Sequence, residues 1–213
     1  MVNIERALRL PLVDGGFVKV IIGAVLNLIP IINFLSTGYL LQLAHDAVNE
    51  KYEMPAWENW GEKFVNGFLV FIITLVYMLI PIIVGMASGG LGQCFQGGYS
   101  GLFAGGLALA TLIALVIGFF VPMALTHYAA TGSFGAAFGF GTIFSYIGRV
   151  FGSYILAYIF MIAMVFVLML LSSIPLLGVI ISILAGFYIS CVGCILFADV
   201  YRQATRAKLQ EPL

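Results

Sequence analysis

The chain has 213 residues, 62% of them hydrophobic and 8% charged, and its nine Lys and Arg balance nine Asp and Glu. A soluble domain carries about a quarter charged residues, so a chain with uncharged runs over residues 64–148 and 150–198 must be dissolved in lipid. The lack of a basic patch excludes nucleic acid as a partner.

In chain order, Asn3 is placed to cap a short helix over residues 4–10, with Glu5 and Arg9 paired at i,i+4 and Pro11 ending it. Ile4 and Leu8 share one face, which suits a helix on the membrane surface. Arg6, Arg9 and Lys19 before the apolar run 20–29 resemble the start of a signal peptide, but no small-x-small cleavage site follows. The run therefore reads as an uncleaved membrane segment. Residues 15–46 form either one kinked helix of about 48 Å or two arms of about 23 Å meeting near residues 27–33. A half-inserted hairpin is a third arrangement.

Next, Pro55 suits a first helical turn, and Trp57, Trp60, Gly61, Phe64 and Phe68 follow at helical spacing, with Glu58 and Glu62 on another face. The chain's two tryptophans sit where a polar segment meets a span, the depth indole prefers, so Trp57 and Trp60 are expected to be interfacial anchors. Stacking on a ligand is the other reading of these rings.

Four spans follow, near residues 64–87, 102–129, 150–171 and 174–198, each long enough for a hydrocarbon core of about 30 Å. Between the first two lies a glycine-rich, uncharged loop, 88–101, read as an exposed turn or a re-entrant filter element. Residues 130–149 alternate Phe with Gly and are expected to lie in the headgroup zone or packed under the bundle. The expected fold class is thus all-α, a polytopic transmembrane bundle of about six spans, with five as the alternative, plus short interfacial amphipathic helices. Residues 1–213 form one integral membrane domain, with an interfacial segment at 1–14, cytoplasmic linkers at 47–63 and 130–149, and a tail at 199–213. With six spans the outer loops hold no charge and all nine Lys and Arg lie inside, as the positive-inside rule requires. With five, Arg6, Arg9 and Lys19 lie opposite the rest. The expected location is the cell membrane, with both termini cytoplasmic.

Small residues recur every four positions in two spans: Gly106, Ala110, Ala114 and Gly118, and Gly178, Ser182, Gly186, Ser190, Cys194 and Ala198. In lipid, helices gain little from the hydrophobic effect, so such ridges supply close packing, within one chain or between copies.

Chemistry has few places to reside. The clear spans hold no charge, which argues against buried-carboxylate transport and against a voltage sensor. His45, Asp46, His127 and Asp199 lie at helix ends. His127 is the one weak candidate for a cofactor ligand, and interfacial polarity is its simpler role. Cys94, Cys191 and Cys194 imply no disulfide framework. The C-x-x-C of Cys191 and Cys194 lacks the further ligands that zinc needs. No nucleotide-binding, serine-hydrolase or metalloprotease motif is present. Catalytic residues, metal ligands and cofactors are therefore expected to be none.

Gly38-Tyr39-Leu40-Leu41, the run from Met54 through Pro55, Trp57 and Trp60 to Phe64 and Gly67, and then Tyr77 and Pro81, follow a pattern. A Gly-Tyr near a helix end precedes a Pro-x-Trp segment and a Phe-x-x-Gly entering the next span. This resembles the prokaryotic membrane proteins grouped as domain-of-unknown-function family 4013, over about residues 23–85. Family members tend to carry arginines after the Gly-Tyr, where this chain has Gln42 and His45, so the resemblance implies no anionic partner here. It implies a prokaryotic multispan membrane protein and supplies no activity.

The expected function is non-enzymatic: helix packing as a homo-oligomer or as an accessory subunit of a membrane assembly, with membrane lipids and other subunits as partners. A channel or facilitator for neutral small solutes or lipids is the alternative.

Overall fold

A computed structural model describes residues 2–87, 101–174 and 177–210. The glycine-rich loop with Cys94, and Pro175, lie outside the described residues. Within them the regular elements are helices: α1 Ile4–Arg9, α2 Gly16–Asn27, α3 Asn33–Val48, α4 Trp60–Ala87, α5 Gly101–Thr131, α6 Phe140–Arg149, α7 Phe151–Ser172 and α8 Leu177–Gln210, with 3-10 turns at Leu10–Leu12 and Phe134–Phe138. Four of them, α4, α5, α7 and α8, are long and apolar enough to cross a bilayer. The segment Ile4–Leu12 with α2, bent by 80°, would make a fifth. The chain is the all-helical polytopic membrane protein that its composition predicts.

The span count turns on α2 and α3. At about 1.5 Å per residue they are about 18 Å and 24 Å long, short of a hydrocarbon core of about 30 Å. They are separate helices, broken at residues 28–32 as the two-arm reading expects. Counted as two short crossings they give about six passages in all.

The chain divides into two compact units, Met1–Val70 with Met123–Leu213, and Phe71–Pro122. The first is built around α8, against which α1, α2, α3, α6 and α7 pack. From Cys191 to Tyr201 nearly every residue of α8 is buried, and Tyr39, Leu43, Ile143 and Tyr154 from the surrounding helices are fully covered. A helix apolar on all sides lies in a protein core or in lipid, and this stretch of α8 takes the core. In lipid the gain comes from dispersion at close approach, and glycines set that approach. A Cβ at Gly38 would overlap the Lys63 carbonyl oxygen, and one at Gly67 would overlap the Phe34 carbonyl oxygen. The α3–α4 crossing is therefore backbone on backbone. At Gly23 a Cβ would overlap the Phe187 ring, so α2 meets α8 with its backbone against an aromatic side chain.

Helix ends follow local chemistry. Asn3 caps α1 by accepting from the Arg6 N–H, and Glu5 pairs with Arg9 at 3.0 Å, as expected. Pro11, however, continues into a 3-10 turn, and fully buried Ala7 sets the packed face of α1. Gly132, at φ +66°, stops α5 with its N–H on the Tyr128 carbonyl at 2.9 Å. The last helix runs on to Gln210, so most of the expected tail is helical. In α6, Ile143, Tyr146 and Ile147 face inward while Phe140 and Phe144 face outward, which makes it amphipathic with an aromatic outer face.

The helical start expected near Pro55 is a correction. Residues 51–59 are irregular, and α4 begins at Trp60. The Met54 carbonyl is taken by Lys19 Nζ at 2.6 Å and the Pro55 carbonyl by the Tyr39 hydroxyl at 3.1 Å. Asn59 lies at φ +53°, which breaks a helix. Tertiary donors have replaced the amides that a helix would have brought to those carbonyls.

The second unit consists of the adjoining parts of α4 and α5 and holds no ionised side chain. There a Cβ at Gly85 would lie 3.7 Å from the Ala110 Cβ, an ordinary packing contact.

Candidate functional site

A cavity of about 330 Å³ lies where the second half of α3, the first turns of α4 and the end of α5 meet. Gln42, His45 and Asp46 of α3, Glu62, Lys63 and Asn66 of α4, and Tyr128, Ala129 and Gly132 line it, with Gly38 and Leu41 at its wall. The spacing of 42, 45 and 46 places all three on one face of α3. The Gly38–Lys63 crossing then fixes α4 against that face.

Its polar groups divide into engaged and free ones. His45 Nδ1 lies 2.7 Å from the Ala129 carbonyl and Nε2 3.1 Å from Asn49 Nδ2. A carbonyl only accepts, so Nδ1 carries the proton and Nε2 accepts from the carboxamide. Lys63, 3% exposed, donates from Nζ to the Glu58 carbonyl at 2.6 Å. Asp46, Glu58 and Glu62 act on its charge from longer range. The side chains of Gln42, Asp46, Glu62 and Asn66 have no hydrogen-bond or ion-pair partner among the described residues.

The expected interfacial tryptophans form an aromatic stack with Tyr39. Trp57 lies on Tyr39 at 4.2 Å between ring centroids and on Trp60 at 5.7 Å. Trp57 Nε1 donates to the Lys19 carbonyl at 3.2 Å, which ties it to α2, whereas Trp60 is exposed.

A second polar cluster gathers around Asp199, whose side chain is 3% exposed. Arg6 Nη2 donates to both its oxygens, at 3.0 and 2.7 Å, the Tyr52 hydroxyl to one at 2.8 Å, and the Asn3 amide at 3.3 Å. The Arg6 guanidinium lies 3.6 Å over the Tyr52 ring. Arg202 bonds the Tyr52 oxygen and Glu50, and Arg206 reaches Glu50 at 2.5 Å. Burial and the Asp199 bond together push the Tyr52 hydroxyl up to about 12.

His127 is tied by Nδ1 to the Tyr201 hydroxyl at 2.9 Å and packs edge-on to Tyr146. The two small-residue rows differ in their surroundings. A Cβ at Gly178 would overlap the Ser172 carbonyl, and Ser182 Oγ bonds Ser172 Oγ at 2.6 Å. Further along, Gly186 has no atom within 4 Å of where a Cβ would stand, and Ser190 and Cys194 are half-buried. In the other row Ala110 is buried, while Gly106, Ala114 and Gly118 are half-buried. Sequence reading placed Asp46 and Asp199 only at helix ends and missed their surroundings. The i,i+3 spacing of Asp199 and Arg202 is a signal for the second cluster, but nothing in the chain points to Arg6 or Tyr52.

These features define a polytopic helical membrane protein with its charged groups gathered into built polar clusters. The family described as protein of unknown function (DUF4013) matches over residues 22–177, and the chain belongs to it. No curated protein and no solved structure matches the chain.

Proposed function

We propose that the protein is a non-catalytic subunit of a prokaryotic cell membrane that works by helix packing, with copies of itself or as an accessory to other membrane subunits. The observation that carries this reading is the open part of the α8 small-residue row. At Gly186 a Cβ would meet no atom within 4 Å, next to half-buried Ser190 and Cys194. Beside it α7 has only 6% of its span window buried, against 39% for α8. A partner helix laid there would gain the close backbone contact that lipid chains give poorly. Both termini on the cytoplasmic side is the orientation that the Arg6–Asp199 bond supports, since it holds the N-terminal segment at the charged end of α8.

Gly186→Leu is the test. A Cβ there meets no atom within 4 Å, so the monomer should still fold, as thermal unfolding in detergent would check. On blue-native gels and by cross-linking in native membranes, the assembly should be lost. A wild-type protein that is strictly monomeric and partner-free in its own membrane would refute the reading. Facilitated passage of neutral solutes or lipids is the second reading, favoured by the cavity at the charged end. Absence of flux across a broad solute panel in liposomes would dismiss it.

A further inference from the structure

We infer that the cavity between α3, α4 and α5 is a binding site for a small compound bearing a primary ammonium group. Its charge is the first argument. Asp46 and Glu62 against Lys63 leave one net negative charge, and the C-terminal end of α5 adds the negative pole of a helix. Lys63 competes only from longer range, since it is buried and its Nζ donates to the Glu58 carbonyl. One uncompensated carboxylate charge matches one monovalent cation.

Hydrogen bonding is the second argument. An ammonium presents three N–H donors. The carboxylates of Asp46 and Glu62 and the carboxamide oxygens of Gln42 and Asn66 are acceptors with no hydrogen-bond partner among the described residues, and the two acids act on Lys63 only from longer range. Four such side chains around one cavity, Glu62 exposed and the other three half-buried, present their acceptors to a donor that enters it. A quaternary ammonium needs aromatic faces in place of acceptors, and the lining has no Trp or Phe and one Tyr, Tyr128. A divalent metal is disfavoured by the adjacent Lys63. Among the described residues no three of His, Cys, Asp and Glu form a metal-holding set.

Rigidity is the third argument. Gly38 seats α3 directly on the α4 backbone, and His45 fixes α3 to the end of α5 through the Ala129 carbonyl. The walls are therefore set before a ligand arrives, which reduces the ordering cost of binding. A cavity of about 330 Å³ is at the small end of ligand sites and suits an ethanolamine-sized group. That group can come from a soluble amine or from a phosphatidylethanolamine headgroup.

The test uses the full chain in nanodiscs of phosphatidylcholine, titrated calorimetrically with ethanolamine and glycerophosphoethanolamine, with choline and inorganic phosphate as comparators. Both ethanolamine compounds should bind, choline at least about tenfold more weakly, and phosphate not at all. Asp46→Asn and Glu62→Gln should each weaken binding about tenfold, and Glu53→Gln, outside the lining, should not. Mass spectrometry of protein released from mixed phosphatidylethanolamine and phosphatidylcholine discs separates the sources. Selective retention of phosphatidylethanolamine identifies the headgroup, and binding of soluble amines without it identifies a solute. Failure of both arms overturns the inference, as does equal binding of choline or undiminished binding by folded Asp46→Asn. The choline comparison is made on the wild-type chain, so misfolding of a variant leaves the inference falsifiable.

Discussion

A methyl group decides whether α3 and α4 can meet. Gly38→Ala places a Cβ onto the Lys63 carbonyl oxygen, which is backbone and cannot rotate away. Overpacking of this kind costs about 1–3 kcal/mol or more, so thermal unfolding in detergent should shift down clearly. Gly61→Ala is the matched control. It sits in the first turn of the same helix with no atom within 4 Å, so it should be neutral or slightly stabilising. Equal effects of the two would refute the close crossing. Tyr52 makes a second test at this scale. Its hydroxyl is held up to about 12 in the fold, against about 10 when exposed. A raised pKa contributes stability that is complete below pH 10 and lost as pH climbs from about 10 to about 12. Between those values Tyr52→Phe should unfold with a shallower dependence on pH than wild type. Identical pH profiles would show that the Asp199 bond does not hold the Tyr52 proton.

Among the helices, α1 is held to α8 by Asp199 together with buried Ala7 and the Tyr188 hydroxyl on the Leu8 carbonyl. Asp199→Asn leaves Arg6, one-third exposed on its side chain, facing a neutral group. Removing one partner of a mostly buried pair costs on the order of 3 kcal/mol. The second change Arg6→Gln should recover part of that loss, and a double-mutant cycle with no coupling would contradict the geometry. Legibility from sequence also varies by element. The four long spans were evident, because an uninterrupted apolar run has one solution in lipid. So were the Asn3 cap and the Glu5–Arg9 pair, which are local. The segment around Pro55 and Trp57 misled, because its helical spacing is real but its carbonyls are claimed by Lys19 and Tyr39 from elsewhere in the chain. The candidate cavity was half legible. Gly38 and Lys63 stood within the family pattern, and His45 and Asp46 were noted as polar residues at a helix end. That these side chains face the end of α5 is a long-range fact with no periodic signal.

For the molecule as a whole, charge and orientation are one question. The ionised groups lie in the unit that contains both ends of the chain, and the unit Phe71–Pro122 has none. A tag at the N-terminus should therefore be protected in intact cells and become reactive only after the membrane is permeabilised, as should a tag at the C-terminus. Opposite accessibility of the two would place α2 and α3 differently and refute a shared side. The short helices α2 and α3 would then have to count as an odd number of crossings, which their combined length of about 42 Å permits only as a single broken span.

The Arg6–Asp199 bond joins residues 193 positions apart, and this bears on how the protein is made. Ribosomes extend a chain at about 5–20 residues per second, so Arg6 reaches the membrane surface tens of seconds before its acid exists. Throughout that interval α1 has no α8 to rest on, and the faces of α2 and α3 that will receive α8 are open to lipid or to insertion machinery. The last helix made is thus the one that secures the first. Chains released before residue 199 would display an unpaired arginine and an uncovered helical pair, features that a membrane protease can distinguish from the finished protein.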